Sequence, residues 1–234
     1  MKCKIILLLG IFVFTTLSCK KITNMNLIDG ENTGKLTYKL ADDSGTGLAG
    51  IKVSIYDTKY NNDPSLPNPH DFITETRTDQ DGIAYFSDLI PKNYLVIADA
   101  AIINSIQYRT EDYVQIVAEI EKKKTVKVTE FSGFLNISLI NNNDLWGPLK
   151  NIEIVAYPIN NGRPTADKVK AFIKNSKLKG LTDNNGFLSI KVPSNINYYF
   201  LLYNPVNDSF IYRDIISSVE KAGKFNITLY AYPF

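Results

Sequence analysis

The amino-acid sequence predicts an all-β protein, built as two tandem seven-stranded β-sandwiches with one short helix inserted in the second. Three observations lead there. Apolar residues alternate with polar ones over short runs, the period of a half-buried strand. Asp, Asn, Gly and Pro punctuate these runs at close intervals, as they do between strands of a sandwich. And the landmarks of the first half recur, in order, in the second.

The repeat can be followed element by element. Gly34 to Leu40 answers to Gly133 to Ile140, and in the first of these Leu36, Tyr38 and Leu40 alternate with polar neighbours. A turn follows, residues 42–50 in one copy and 141–148 in the other. Ile51, Val53 and Ile55 then alternate as Ile152, Ile154 and Ala156 do, ending at Tyr56 and Tyr157. Next come Thr78-Asp79-Gln80-Asp81-Gly82 and Thr182-Asp183-Asn184-Asn185-Gly186, whose Asp-Gly and Asn-Gly pairs tolerate the positive φ that tight hairpin turns require. Tyr108-Arg109 recurs as Tyr212-Arg213 at the same offset as those turns. Each copy closes on an alternating strand, Val126 and Val128 in the first, Phe225, Ile227 and Leu229 in the second.

The copies differ in what they insert after their second strand. The first carries a Pro-rich loop, Asn61 to Pro69. The second carries Thr165 to Lys174, where Val169, Phe172 and Ile173 fall at helical spacing and Thr165 is placed to cap the start.

The N-terminus reads as a targeting segment. Lys2 and Lys4 precede an apolar stretch, Ile5 to Leu17, long enough for a signal peptide but short of the roughly 20 residues of a spanning helix. Leu17-Ser18-Cys19 follows and resembles a lipobox, with Thr16 at the place where its leucine usually stands. Ser18-Cys19-Lys20-Lys21 is similar to the looser form found in lipoproteins of the Bacteroidetes type. The expected organisation is a signal peptide at 1–18, a lipidated tether at 19–33, one sandwich at 34–131 and a second at 132–234. The alternative is an ordinary signal peptide with an incidental cysteine. Cys3 leaves with the leader, so the mature chain keeps only Cys19, and no disulfide is available. Acylation accounts for that lone thiol, and two or three acyl chains anchor firmly where one is marginal.

Charge excludes one class of partner. The chain has 26 Lys and Arg against 24 Asp and Glu, and the two surplus lysines lie in the leader. A mature chain with balanced charge lacks the basic surplus that phosphate neutralisation requires, so no nucleic-acid partner is expected. The basic run Lys122-Lys123-Lys124 is expected on a solvated turn.

The stretch Gly47-Leu48-Ala49-Gly50-Ile51-Lys52-Val53, followed by Thr78-Asp79-x-Asp81-Gly82-x-x-x-Phe86-x-x-Leu89-x-Pro91-x-x-Tyr94, resembles the carboxypeptidase-regulatory-like domains. These belong with the transthyretin-like (prealbumin-like), Cna B-type and other Ig-like sandwiches. The resemblance covers about Gly34 to Glu130; the second copy keeps Thr182-Asp183, Gly186 and Pro193 with a longer spacing to Tyr198. It implies a seven-stranded sandwich and no reaction, because such modules serve as spacers, adhesion units and accessory domains. Some Cna B-type members form a Lys–Asn isopeptide bond. Here Lys39 alternates to the solvent side and the strand 94–98 holds no acid, so no such crosslink is expected.

The residues offer little for catalysis. His70 is the single histidine, so neither a His-based metal site nor a Ser-His-Asp triad can be assembled. Asp79-x-Asp81-Gly82 begins like a calcium loop, but its twelfth position is Ile90 rather than glutamate, which favours a plain hairpin turn. Glu111-Asp112 is a carboxylate pair whose placement the sequence does not give. The expectation is a protein that is not an enzyme and has no cofactor: an envelope-anchored lipoprotein, at the outer membrane, acting as a binding, adhesion or assembly module. Its partners would be the membrane, through the N-terminal lipid, and an envelope protein or a glycan. The alternative is a glycan-binding accessory lipoprotein of a polysaccharide uptake system. Trp146, the single tryptophan, lies in the turn Asp144-Leu145-Trp146-Gly147-Pro148 and is the candidate ligand contact, either exposed there or folded inward as a plug.

Two outcomes are expected. Cys19→Ala abolishes incorporation of labelled palmitate and leaves unprocessed precursor; continued labelling of that variant would assign the anchor elsewhere. Residues 32–131 and 132–234, expressed apart, each show a cooperative urea transition; if neither does, the repeats are not separate folding units.

Overall fold

The structure, a computed structural model, describes residues 32–58, 70–143 and 146–232. The leader, Cys19, most of the tether and the Pro-rich loop lie outside the described residues. Asn32–Phe234 is one compact unit.

The first repeat holds β1 (Gly34–Ala41), β2 (Lys52–Thr58), β3 (His70–Arg77), β4 (Ile83–Leu89), β5 (Asn93–Ile103), β6 (Ile106–Gln115) and β7 (Glu121–Lys127). They form a three-stranded sheet, β4-β1-β7, and a four-stranded sheet, β3-β2-β5-β6. The second repeat holds β8 (Ser132–Asn141), β9 (Glu153–Pro158), the helix α1 (Val169–Asn175), β10 (Lys179–Leu181), β11 (Phe187–Pro193), β12 (Tyr198–Asn204), β13 (Ser209–Ser217) and β14 (Lys224–Ala231). Its sheets repeat the order, β11-β8-β14 and β10-β9-β12-β13. In both repeats the first and last strands pair in parallel and the other pairs are antiparallel. The chain is therefore two tandem seven-stranded β-sandwiches with one helix in the second.

Alternation builds each core. Leu36, Tyr38 and Leu40 from β1 meet Val53 and Ile55 from β2 and Tyr94, Val96 and Ala98 from β5, all buried. Leu135, Ile137 and Leu139 meet Ile154, Ala156, Tyr198, Phe200 and Leu202 in the second repeat. Two buried tyrosines recur at matching places. Tyr94 Oη donates to the Ile90 carbonyl at 2.7 Å and Tyr198 Oη to the Pro193 carbonyl at 3.0 Å. Burial raises the pKa of both phenols and keeps them neutral.

The Thr-Asp-x-x-Gly segment is a clamp made twice. The Thr78 hydroxyl donates to the Leu48 carbonyl at 2.5 Å and accepts the Ile51 amide at 2.9 Å; Thr182 does the same with Leu149 at 2.8 Å and Ile152 at 3.0 Å. One carboxylate oxygen of Asp79 takes the amides of Asp81 and Ile83, at 2.9 and 2.8 Å. Asp183 takes those of Asn185 and Phe187, both at 2.8 Å. Gly82 and Gly186 sit at φ +77° and +69°, where a side chain is strained, and their carbonyls accept the amides of Leu40 and Leu139, each at 2.8 Å. A Cβ on Gly82 would also overlap the Leu40 carbonyl and the Leu48 amide. The acid is thus engaged in shaping a turn, and among the described residues no group of three or more His, Cys, Asp and Glu is placed to hold a metal.

Three expectations need correction. Lys122, Lys123 and Lys124 lie within β7, not on a turn, and Lys124 pairs with Asp112 at 2.5 Å. Alternation turns 122 and 124 toward the partner sheet and 123 outward. The matching spacing of Tyr108-Arg109 and Tyr212-Arg213 is not a structural equivalence. Val96 faces Asp112 whereas its counterpart Phe200 faces Arg213, so the pairs are three residues out of step. The cause is a longer β5–β6 hairpin, with an irregularity between Ala98 and Ala101 and a tip at Asn104-Ser105, both at positive φ. Thr165 stands ahead of a single 3-10 turn, 166–168, that leads into α1, and its hydroxyl makes no capping bond.

That long hairpin also joins the repeats. Ile106 at its tip packs against the second core. Ser194 N donates to the Phe131 carbonyl at 2.8 Å, and Lys221 Nζ lies 3.7 Å from the centre of the buried Phe131 ring.

Thr78→Val and Thr182→Val each remove a hydroxyl from a buried two-way bond. Each should cost about 2 kcal/mol in urea unfolding, because a buried amide and carbonyl lose their partner. Gln80→Ala, on the exposed tip of the same turn, should cost less than about 0.5 kcal/mol. Equal midpoints for all three variants would remove the clamp from the account.

Candidate functional site

Trp146 leaves β8 through a turn that several backbone bonds define. Asn141 N donates to the Gly147 carbonyl at 2.8 Å, Asn142 N to the Ala231 carbonyl at 2.9 Å, and Asn143 N to Asn141 Oδ1 at 2.9 Å. The bond to Ala231 ties the turn to the end of β14. Trp146 has φ +56°, rare for a bulky residue, and its side chain is 66% exposed. It is not a plug in its sandwich. Its ring stands edge-on to Tyr230 of β14, with centroids 5.4 Å apart and planes at 85°.

Tyr230 belongs to the outer face of the sheet β11-β8-β14, so the turn and that face are continuous. Strand register lays the face out in rows. Lys191, Phe134 and Lys224 form one, Ser189, Asn136 and Asn226 the next, Phe187, Ser138 and Thr228 the third, and Ile140 with Tyr230 the last, beside Trp146. Ser189 Oγ donates to Asn136 Oδ1 at 2.8 Å and Asn136 Nδ2 to Asn226 Oδ1 at 2.9 Å, which fixes the second row as a ladder of amides. Phe134, Phe187 and Tyr230 are exposed. The outward positions of these three strands hold no carboxylate.

The first repeat dresses the same positions differently. Leu40 and Leu139 are equivalent, because each donates to the glycine of its clamp. On that alignment Lys35 stands where Phe134 does, Thr37 where Asn136 does and Lys39 where Ser138 does. Leu40 pairs with Val126 and Leu139 with Leu229, so Lys123 answers to Asn226 and Lys127 to Tyr230. Four lysines on one face are replaced by two rings, an amide and a hydroxyl on the other. The lysine face is also cross-linked by charge: Thr37 Oγ1 donates to Glu121 at 2.6 Å, and Lys123 lies 3.5 Å from the same carboxylate.

Other chemistry-bearing residues do not assemble. Glu111 and Asp112 point to opposite faces of β6: Glu111 binds Arg109 at 2.8 Å on the outside, and Asp112 binds Lys124 on the inside. Tyr38, buried near Thr110 and Asp112, has its pKa raised by burial and then by the nearby carboxylate, so it stays a neutral phenol. A polar cleft of about 220 Å³ lies between the repeats, lined by Asp99, Gln107, Arg109, Asn160, Asn195 and Asn197, among others. Its one cation is neutralised in place by Asp99 at 3.1 Å and Glu111. His70 opens β3. Cys19 lies outside the described residues.

The sequence singled out Trp146 but not its setting. Tyr230 and the amide ladder come from strands far along the chain, and the signal that could have found them is the alternation of Lys224, Asn226, Thr228 and Tyr230 on β14.

No family model matches the chain, and no curated protein matches it. By structure it is similar to the TIE protein of Bacillus anthracis (16% identity, TM-score 0.32), covering 86% of this chain and 34% of that one. It is also similar to GBS52, the minor pilin of Streptococcus agalactiae (17% identity, TM-score 0.35, 84% of this chain and 94% of that one). A third is the shaft pilin SpaA of Lactobacillus rhamnosus GG (9% identity, TM-score 0.31, 86% and 99%). The chain thus spans about a third of the length of the TIE protein. At TM-scores of this size the overlap assigns neither ligand nor role.

Proposed function

We propose that the chain is a non-catalytic lipoprotein of the cell envelope, held at the outer membrane through acylated Cys19, which displays a binding surface on its second sandwich. The observation that supports this reading is the exchange of lysines for rings and amides on one sheet face, with Trp146 exposed at its end. Exposed rings clustered at one end of a sheet face, rather than scattered singly, are a common mark of an interaction site. The ligand would contact Trp146 and Tyr230 first. Tryptophan and tyrosine give large contact area for few frozen rotors, and the clamped turn lowers the entropy lost on binding.

A second reading has its own support. A neutral glycan is met by aromatic stacking and by amide and hydroxyl bonds. The Ser189–Asn136–Asn226 ladder beside exposed rings, without a carboxylate, has that composition. The edge-on setting of Trp146 against Tyr230 fits one sugar ring on one aromatic face, not an extended flat platform.

The test is a pull-down from the native envelope and a glycan array, each run with the wild-type chain and with Trp146→Ala. The variant should keep its unfolding free energy within about 1 kcal/mol, since only an edge contact is lost. Its binding to the captured partner or glycan should fall at least tenfold. Unchanged affinity in the folded variant would remove Trp146 from the site; a loss of several kcal/mol in stability would make the residue structural.

A further inference from the structure

The two sandwiches finish one of their seams differently. On that side the sheets end on β7 and β6 in the first repeat, and on β14 and β13 in the second. In the first repeat, register turns Lys122, Lys124 and Val126 inward, beside Leu36, Tyr38 and Leu40. Lys124 crosses the seam to Asp112, which sits beside Val96 of β5. Inward-pointing charges on an edge strand discourage a further strand from pairing with it.

In the second repeat the same register turns Phe225, Ile227 and Leu229 inward, beside Leu135, Ile137 and Leu139. Leu229 answers to Val126, so Ile227 takes the place of Lys124 and Phe225 that of Lys122. Arg213, beside Phe200, takes the place of Asp112. The acid of the first seam is gone and a cation stands there instead. Arg213 is half-buried. Among the described residues no carboxylate pairs with it, and its Nε is buried without a hydrogen-bond partner.

The strand across the seam is an unprotected edge. The eight residues of β14 pair with β8 without a register shift, include no proline and no inward charge, and pair with no strand on their other side. Phe225 is 41% exposed although its position faces inward. The opposite edge, β13, is broken by an irregularity between the partners of Tyr198 and Phe200.

We propose that the free edge of β14 takes up an extended segment of a partner protein, which adds as a further strand and brings a carboxylate to Arg213. Strand addition satisfies the open backbone groups of the edge, and alternate side chains of the segment turn inward to the seam. There an aliphatic side chain covers Phe225 and an acidic one reaches Arg213. A half-buried guanidinium without a counterion is costly, and a carboxylate is the anion that a peptide supplies to it. The β14 strand of a second copy would not serve, since Phe225, Ile227 and Leu229 bring no acid. The proposal stands on the edge and the seam, not on Trp146.

The probe is an array of seven-residue peptides, incubated with the full-length chain in detergent. Thr fills the odd positions, and Asp, Glu, Gln, Lys, Val, Leu or Phe the even ones. The strongest binders should carry one acid among apolar residues at the even positions. The best of them, labelled with fluorescein and read by anisotropy, should saturate below about 1 mM. Exchanging its acid for the matching amide should weaken it about tenfold, which tests the seam without altering the protein. That discrimination should vanish in Arg213→Leu. Phe225→Lys, which reproduces the inward lysine of the first repeat, should abolish binding with the thermal midpoint unchanged, and Trp146→Ala should leave binding as it is. Arg213→Leu should hold or raise the midpoint, because it removes an uncompensated charge. A lowered midpoint would mean that the chain itself satisfies the guanidinium, and would overturn the proposal. So would the absence of saturation, or a preference for the acidic peptide that survives Arg213→Leu. Self-association of the chain alone, lost in Phe225→Lys, would give the edge to a second copy and overturn the partner reading.

Discussion

The threonine clamp is what the rest of each sandwich hangs on. Between β1 and β2, and again between β3 and β4, the chain passes from one sheet to the other. At such a crossing, backbone amides and carbonyls leave one ladder before joining the next and need partners there. Thr78 and Thr182 supply both a donor and an acceptor from one hydroxyl. Asp79 and Asp183 gather the amides of the turn, and the glycine carbonyls hand the chain to the first strand. Once this corner is fixed, the register of β1 on β4 follows. So does the parity of every residue on those strands, because a one-residue slip would turn the whole apolar set to solvent.

That dependence explains what the sequence made legible. Strand number, the pairing of the copies and the core residues all follow from alternation and from a turn whose side chains are local to it. Long-range consequences were harder to read. Tyr108-Arg109 matched Tyr212-Arg213 by offset, yet the β5–β6 hairpin is longer than its counterpart, and a hairpin's length changes which residues oppose each other without changing their spacing from the turn. The lysine run 122–124 looked like a turn by composition, but β7 is an edge strand, where lysines are common because they discourage further pairing. Leu95 and Ile97 were indistinguishable from core residues, since five consecutive apolar positions give no alternation to read. Trp146 was legible as a candidate. Its contact with Tyr230 was not, because the two lie 84 residues apart and meet only through the parallel pairing of β8 with β14.

Duplication of one scaffold lets four outer faces diverge while the cores stay alike. The three-stranded sheet of the first repeat carries four outward lysines laced by a glutamate; that of the second keeps Lys191 and Lys224 at one end and sets rings, amides and hydroxyls over the rest. The four-stranded sheet of the second repeat is covered by its own helix; that of the first leaves Phe72 and Tyr113 exposed and carries the paired charges of Arg109, Asp99 and Glu111. Substitutions on these faces cost little, since outward positions do not touch the core. The same positions on the inner faces hold Leu, Ile, Val, Tyr and Phe in both copies. The contrast between faces therefore carries more functional information than the fold does.

The join between the repeats shapes how those faces are presented. Ile106 seats the long hairpin in the second core, and Phe131 is held by Ser194 and Lys221 from the other side. Trp146 itself is held at positive φ, a conformation that costs a bulky residue about 1–3 kcal/mol. A glycine at that position would relieve the strain and keep the bonds from Asn141 and Asn142, which involve only the backbone of the turn. The geometry of the turn therefore does not require tryptophan. What the tryptophan adds is a ring outside the sandwich, braced by Tyr230 and by a turn anchored to the last strand.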